Sequence, residues 1–189
     1  MADIFTIAKA AYDDSINDLR KMTKFFERVN PKCNPRLILN RFDVMLQYSL
    51  LQIALVDGFL SVDECLFIKE LPQYSDFCVF LEEQGFKDVT WEKIYNTRES
   101  FLNRVLDDVQ DIMTDFAQEF VQIFAAGDFI SSYDFLADLK KNVLAIVFAT
   151  CKADGRVSED ELEAECLIIG TLHAIEEREK ELAQELKSK

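Results

Sequence analysis

"LVDGFLSVDE" at residues 55–64 and "KADGRVSEDE" at residues 152–161 are two versions of one ten-residue pattern. An apolar segment comes before the Asp in both copies, which indicates a duplicated element in which one buried helix ends and another begins. The copies match at five positions with a constant offset of 97 residues (57 to 154): Asp57 and Asp154, Gly58 and Gly155, Ser61 and Ser158, Asp63 and Asp160, Glu64 and Glu161.

Helix capping explains most of this pattern. The glycine of each copy suits the left-handed residue that closes a helix. Each serine is followed three residues later by Glu, which is the S-x-x-E capping box of a new helix. Asp63 and Asp160 then lie in the first turn, where the helix dipole favours a negative charge. On this interpretation the loops are helix caps and nothing more.

Capping explains Asp57 and Asp154 less well. Both lie at the C-terminal end of a helix, where the dipole disfavours a negative charge by roughly 0.3–1 kcal/mol. Two explanations remain open. The carboxylate accepts backbone N–H groups of the loop in an Asx-type turn, or it binds a divalent cation together with the acidic residues of the next helix.

An ordinary EF-hand is not predicted. Placing Gly155 at the sixth position of the calcium loop puts Glu161 at the twelfth, as the pattern requires. The first and third positions are then Thr150 and Lys152, so the ligands of the first half are missing.

Composition predicts an all-α fold. The chain has 189 residues, of which 49% are hydrophobic, with 16 Phe but only 5 Gly and 3 Pro, so tight turns are few. Apolar periodicity predicts helices over 2–28, 36–56, 62–71, 91–126, 133–153 and 159–186, with one short helix within 72–90 and a turn at "AGDFISS" (126–132). Segment 91–126 is one helix or two. We expect a single domain over residues 1–189, a bundle of about 6–8 helices with two helix–DG loop–helix units.

The net charge of −14 indicates which classes of partner the chain favours and which it disfavours. It disfavours nucleic acid and anionic lipid surfaces, and it favours cations or basic proteins. Five cysteines without a CxxC pair predict reduced thiols in a cytoplasmic protein. No segment is apolar for long enough to span a membrane, so membrane insertion is not expected.

Two further features have alternative interpretations. An aromatic stripe runs from Trp91 to Phe124 and is either a core seam or part of a groove for a partner helix or an apolar ligand. His173 shares a helix face with Cys166, and we expect a partly buried structural histidine rather than a zinc ligand or a catalytic pair. Cys151 is expected to pack in the core.

An apolar helix that runs into DG-x-hydrophobic-S-x-(D/E)-E, twice in one acidic helical chain, resembles the tellurite-resistance TerB-like family and the similar N-terminal domain of DjlA-type co-chaperones. The resemblance covers roughly residues 36–175, with an extra N-terminal helix at 1–30 and a charged helical extension at 176–189. It implies a helical bundle, a stress-related role and a divalent-metal site, whose candidate ligands by position are Asp57, Asp63, Glu64, Asp154, Asp160 and Glu161.

The leading functional hypothesis is therefore a non-enzymatic, TerB-like module that offers an acidic surface to a divalent cation or to a basic protein partner. The alternative is a purely structural interaction domain whose DG loops are only helix caps. No phosphate-binding loop, nucleophile elbow or HExxH pair is present in the sequence, so the case for a hydrolytic enzyme is weak.

Overall fold

The computed structural model describes residues 2–29, 31, 33–56, 60–96, 99–131, 133–153, 155 and separate positions between 159 and 185. These parts of the chain contain helices and connecting turns and no strand, which confirms the all-α prediction. The helices are α1 (Ala2–Val29), α2 (Pro35–Ala54), α3 (Val62–Glu70), α4 (Phe77–Glu83), α5 (Trp91–Asn96), α6 (Glu99–Ser131) and α7 (Phe135–Thr150).

Helix α2 lies at the centre of the bundle, as its apolar sequence predicts. Asn34 caps its first turn by accepting hydrogen bonds from the backbone N–H groups of Arg36 and Leu37, and Pro35 occupies the first helical position. Twelve of its side chains are buried, including the polar Asp43. Helix α2 contacts α1, α3, α4, α6 and α7, so it positions most of the fold.

Helix α1 is an integral part of the core. It packs most extensively along α7, and also against α6 and α2. Tyr12, Leu19 and Met22 on its inner face have no exposed surface. Removing α1 would therefore uncover the apolar faces of three helices.

The segment from 72 to 96 contains short helices. One short helix, α4, lies within 72–90 as expected, and Asp76 is its N-cap. The aromatic stripe then falls on two helices, α5 and α6, on either side of residues 97 and 98. Its members Trp91, Phe120 and Phe124 are buried, which agrees with a core seam, whereas Tyr95 is exposed.

The prediction of a turn at 126–132 is wrong, because α6 continues to Ser131. Gly127 serves a helix contact instead. A Cβ atom at this position would lie 3.0 Å from Cγ of the buried Met22, so glycine lets α1 approach α6 closely. The chain turns only after Ser131, and Asp134 caps α7 by accepting a hydrogen bond from the N–H of Ala137.

Helix α7 ends at Thr150 with Cys151 as its C-cap, so the prediction that Gly155 closes this helix is wrong. Gly155 is left-handed (φ +81°), but it belongs to the turn that follows, where its N–H donates to the carbonyl oxygen of Lys152 at 3.1 Å. The described positions between 159 and 185 have helical backbone. Ser158 and most of the second DG unit lie outside the described residues, so the structural repeat stays a prediction. None of the helices in the described parts is long and apolar enough to cross a membrane.

Candidate functional site

The first DG unit contains the predicted capping box. Ser61 Oγ accepts a hydrogen bond from the N–H of Glu64 (3.1 Å), and Glu64 Oε2 accepts one from the N–H of Ser61 (2.8 Å). Leu60, just before the cap, is buried. The local sequence therefore produces the start of α3 without any bound ligand.

The structure places two of the six candidate metal ligands, and it separates them. Glu64 is only 3% exposed and holds the cap, whereas Asp63 beside it is exposed. The other four, Asp57, Asp154, Asp160 and Glu161, lie outside the described residues. Within the described part of the chain, no group of three His, Cys, Asp or Glu side chains is arranged to hold a metal ion. The metal site stays a prediction.

The expectation of a partly buried His173 is wrong. His173 and Cys166 are both exposed, because the side of the helix that carries them faces solvent. His173 Nδ1 lies 2.8 Å from Nζ of Lys140, which connects this helix to α7. Cys151, in contrast, is 2% exposed, as predicted for a core residue.

A buried carboxylate on α2 holds the loop between α3 and α4. Asp43 has no exposed surface, and its Oδ1 accepts a hydrogen bond from the Tyr12 hydroxyl at 2.7 Å. Its Oδ2 accepts three backbone N–H groups, from Gln73 (3.1 Å), Tyr74 (2.5 Å) and Ser75 (3.0 Å). One side chain thus joins α1, α2 and the loop, and its four hydrogen bonds compensate for its burial.

A second polar side chain of α2 continues this arrangement one turn later. Gln47 donates to the carbonyl oxygen of Ile68 (3.2 Å) and accepts from the N–H of Phe77 (2.7 Å). Asp76 then accepts a hydrogen bond from Nε1 of Trp91 at 2.8 Å. These contacts fix where α3 ends and where α4 and α5 begin.

The electrostatics of this cluster suit a structural role. Burial raises the pKa of Asp43 above its ordinary value, and the hydrogen bonds from Tyr12 and the three amides oppose that increase. Burial and the neighbouring Asp43 also raise the pKa of Tyr12. Our sequence reasoning missed this cluster. The available signal was a polar pair, Asp43 and Gln47, spaced four residues apart among the apolar positions Leu39, Phe42, Leu46 and Leu50.

A groove opens between α2, α6 and α7, with a volume of about 800 Å³. We call this space the α2–α6–α7 groove. Its walls are mainly apolar and come from all three helices, with Phe42 and Leu46 on α2, Met113 and Phe120 on α6, and Leu139 and Val147 on α7.

The mouth of the groove is polar and open to solvent. Its exposed polar lining residues are Gln52 on α2 and Asp107, Gln110 and Thr114 on α6, and the apolar Val56 just after α2 is exposed as well. The three α6 residues follow one another at helical spacing, so they form one edge of the mouth. The groove therefore has an apolar floor beneath a hydrophilic edge, which is the usual character of a binding site.

One corner of the mouth is electronegative. Tyr48 Oη accepts a hydrogen bond from Nε2 of Gln52 at 2.9 Å. Burial and the nearby negative charge of Asp107 raise the pKa of Tyr48, against the opposing effect of the Gln52 hydrogen bond. Tyr48, Gln52 and Asp107 thus lie near one another beside the apolar floor, and the carboxylate of Asp107 gives this corner a negative charge.

The groove bears on the two interpretations of the aromatic stripe. Phe120 and Phe124 line the groove, whereas Trp91 and Phe101 do not. Part of the stripe is therefore core, and part of it is the wall of an open space.

Comparisons of this chain with family models, with curated proteins and with solved structures found no significant match.

Proposed function

We propose that this chain is a binding module whose site is the α2–α6–α7 groove, and that the groove receives an apolar segment of a protein partner. One observation carries the proposal, namely an apolar-walled space of about 800 Å³ that is open to solvent between three helices. Ligand pockets in proteins have volumes of about 300–1,000 Å³ and are mostly apolar with a few polar groups.

An apolar space between helices is energetically unfavourable when no partner fills it. Protein interiors are packed about as densely as organic crystals, and side chains without neighbours lose dispersion contacts. Met45, Val56 and Val143 line this groove and keep part of their apolar surface exposed. A partner that fills the space would recover those contacts and remove apolar surface from water.

The hypothesis that the DG loops bind a cation has less structural support than the groove has. Glu64, one of its ligands, already holds the cap of α3 through both its backbone N–H and its carboxylate. Within the described residues, Glu64 belongs to no group of three His, Cys, Asp or Glu side chains that could hold a metal ion. A TerB-like, stress-related role stays a prediction from the two loop sequences.

A neutral apolar dye such as Nile red tests the proposal. We expect the wild-type protein to bind the dye with a blue-shifted emission, and Thr114→Trp and Ala117→Trp to abolish this binding because each fills the groove. Gln118→Trp is the matched control, since Gln118 is exposed on α6 and does not line the groove.

Far-UV circular dichroism and thermal unfolding establish that each variant is folded. Dye binding that survives both groove variants, or that Gln118→Trp abolishes equally, overturns the proposal.

A further inference from the structure

The geometry points to a specific occupant: we propose that the α2–α6–α7 groove binds a cationic amphipathic helix of a partner protein, with a Lys or Arg of that helix at Asp107. This inference rests on the proposed function and adds the shape and the charge of the partner.

The length of the groove fits a helix. Its lining positions on α2 and the turn just after it extend from Phe42 to Val56, which is 15 residues and a length of about 21 Å at 1.5 Å per step. Four turns of a partner helix have the same length. An amphipathic helix places apolar side chains at every third or fourth position along such a groove, and this is a common mode of peptide recognition.

The negative charge at the mouth of the groove favours a partner that carries a positive charge. None of the described residues lining the groove is Lys, Arg or His, and Asp107 is the acidic one among them. Arg41 and Arg104, next in sequence to the lining residues Phe42 and Asn103, do not line the groove themselves. Arg41 pairs with Glu119, and the guanidinium of Arg104 lies 5.9 Å from the centre of the Phe101 ring.

Anionic amphiphiles are poor occupants for the same reason. A fatty acid or an anionic lipid would bring its negative charge to Asp107, and the whole chain already carries a net charge of −14. Like charges at the mouth oppose binding, and opposite charges both speed association and fix register. A helix with Lys or Arg beside its apolar face can pack its apolar side chains on the floor of the groove and place its positive charge next to Asp107 at the mouth.

The test uses two model peptides of about 16 residues, one built of Leu and Lys with amphipathic helical spacing and one with each Lys replaced by Glu. Fluorescence anisotropy measures their binding to the wild-type protein and to Asp107→Lys. Asp108→Lys is the matched control, because Asp108 is exposed next to Asp107 on α6 and does not line the groove. It changes the net charge equally.

We expect the wild-type protein to bind the Leu/Lys peptide and to reject the Leu/Glu peptide. Asp107→Lys should weaken binding of the Leu/Lys peptide by about tenfold or more, because it replaces an attraction at the mouth with a repulsion. Asp108→Lys should weaken it by about threefold or less, as expected for a charge that acts only through solvent. Thr114→Trp should abolish it.

Equal losses in the Asp107 and Asp108 variants overturn the inference, because they mean that the peptide binds the general acidic surface. Binding that persists in Thr114→Trp, a preference for the Leu/Glu peptide, or co-sedimentation with phosphatidylglycerol vesicles also overturns it. The dye separates the two proposals. If Nile red binds in the groove and the Leu/Lys peptide does not, the proposed function stands and this inference fails; if neither binds, both fail.

Discussion

Replacing the buried carboxylate on α2 is the sharpest test of how this fold is held together. We expect Asp43→Ala to lower the free energy of unfolding by about 3–5 kcal/mol, because each buried donor left without an acceptor costs about 1–3 kcal/mol. Three donors, the Tyr12 hydroxyl and the N–H groups of Tyr74 and Ser75, lose their acceptor at once. The N–H of Gln73 loses one of its two acceptors and keeps the Tyr12 hydroxyl oxygen at 3.0 Å.

The magnitude follows from the contacts. A hydrogen bond to a charged group contributes about 1.5–3 kcal/mol, so four such bonds would exceed the expected total if they were independent. Two effects reduce the sum. The buried charge itself is unfavourable, and residues 73–75 are partly exposed, so water reaches some of the released N–H groups.

Two milder variants separate the contributions. Asp43→Asn can turn its amide oxygen toward the three backbone N–H groups, and we expect a loss of about 1–2 kcal/mol because neutral hydrogen bonds are roughly half as strong as charge-assisted ones. Tyr12→Phe removes one donor from Asp43, and the N–H of Gln73 keeps its bond to Oδ2. We expect a loss of about 1–1.5 kcal/mol.

Urea unfolding at pH 7 measures these differences. Trp91 is the single tryptophan of the chain, and its indole N–H bonds Asp76 at the start of α4, so its fluorescence reports on this part of the fold. Circular dichroism at 222 nm reports on the helices, and coincident transitions support a two-state treatment. A loss below 1 kcal/mol in Asp43→Ala, or equal losses in the Ala and Asn variants, would refute the idea that the acceptor oxygens of Asp43 hold the loop.

Three other predictions concern titration, reactivity and metal binding. Burial raises the native pKa of Asp43 above the value of about 3.9 in the unfolded chain; its contribution is therefore fully present below about pH 4 and lost as the pH rises through the native pKa. The unfolding free energy of the wild-type protein minus that of Asp43→Asn should fall between pH 4 and pH 7, and a rise would contradict the assigned direction. Burial raises the pKa of Cys65 to about 11, so at pH 8 only about 0.1% of it is thiolate; the exposed Cys166 should react first with Ellman's reagent, and Cys166→Ser should remove the fast phase unless a core thiol is accessible. The cation hypothesis predicts that calcium, magnesium, manganese or zinc at a hundredfold excess over Kd stabilises chelator-treated protein by about 2.7 kcal/mol, an effect lost in the Asp57→Asn, Asp154→Asn double variant; equal melting temperatures with every metal would count against it.

Local sequence features predicted the helices well. The apolar periodicity of α1 and α2 gave their positions to within two residues at either end, and Ser61 and Glu64 predicted the start of α3. Caps and periodicity act over three or four residues, so a single sequence contains them in full. Gly127 misled the same reasoning, because a glycine that allows a close helix contact and a glycine that makes a turn are identical in sequence.

The candidate site was predicted only in part. The aromatic stripe of α6 suggested a groove as one of two interpretations, and Phe120 and Phe124 do line one. The other walls of the groove could not be predicted from the sequence. Asp107 on α6 and Leu139 on α7 line the same groove only because these two helices pack against each other. His173 was expected to be partly buried on its helical spacing, and it is exposed.

The sequence by itself determined the all-α class, the first capping box and the strongly acidic charge, because these depend on composition and on neighbours within one helical turn. Only the tertiary structure decided which carboxylate is buried and where the core stays open. Asp43 is one of 35 acidic residues, and it is distinguished by Tyr12 and by three amides that lie 30 or more positions away in the chain. The α2–α6–α7 groove exists because α2 and the later helices α6 and α7 do not close against one another along their whole length.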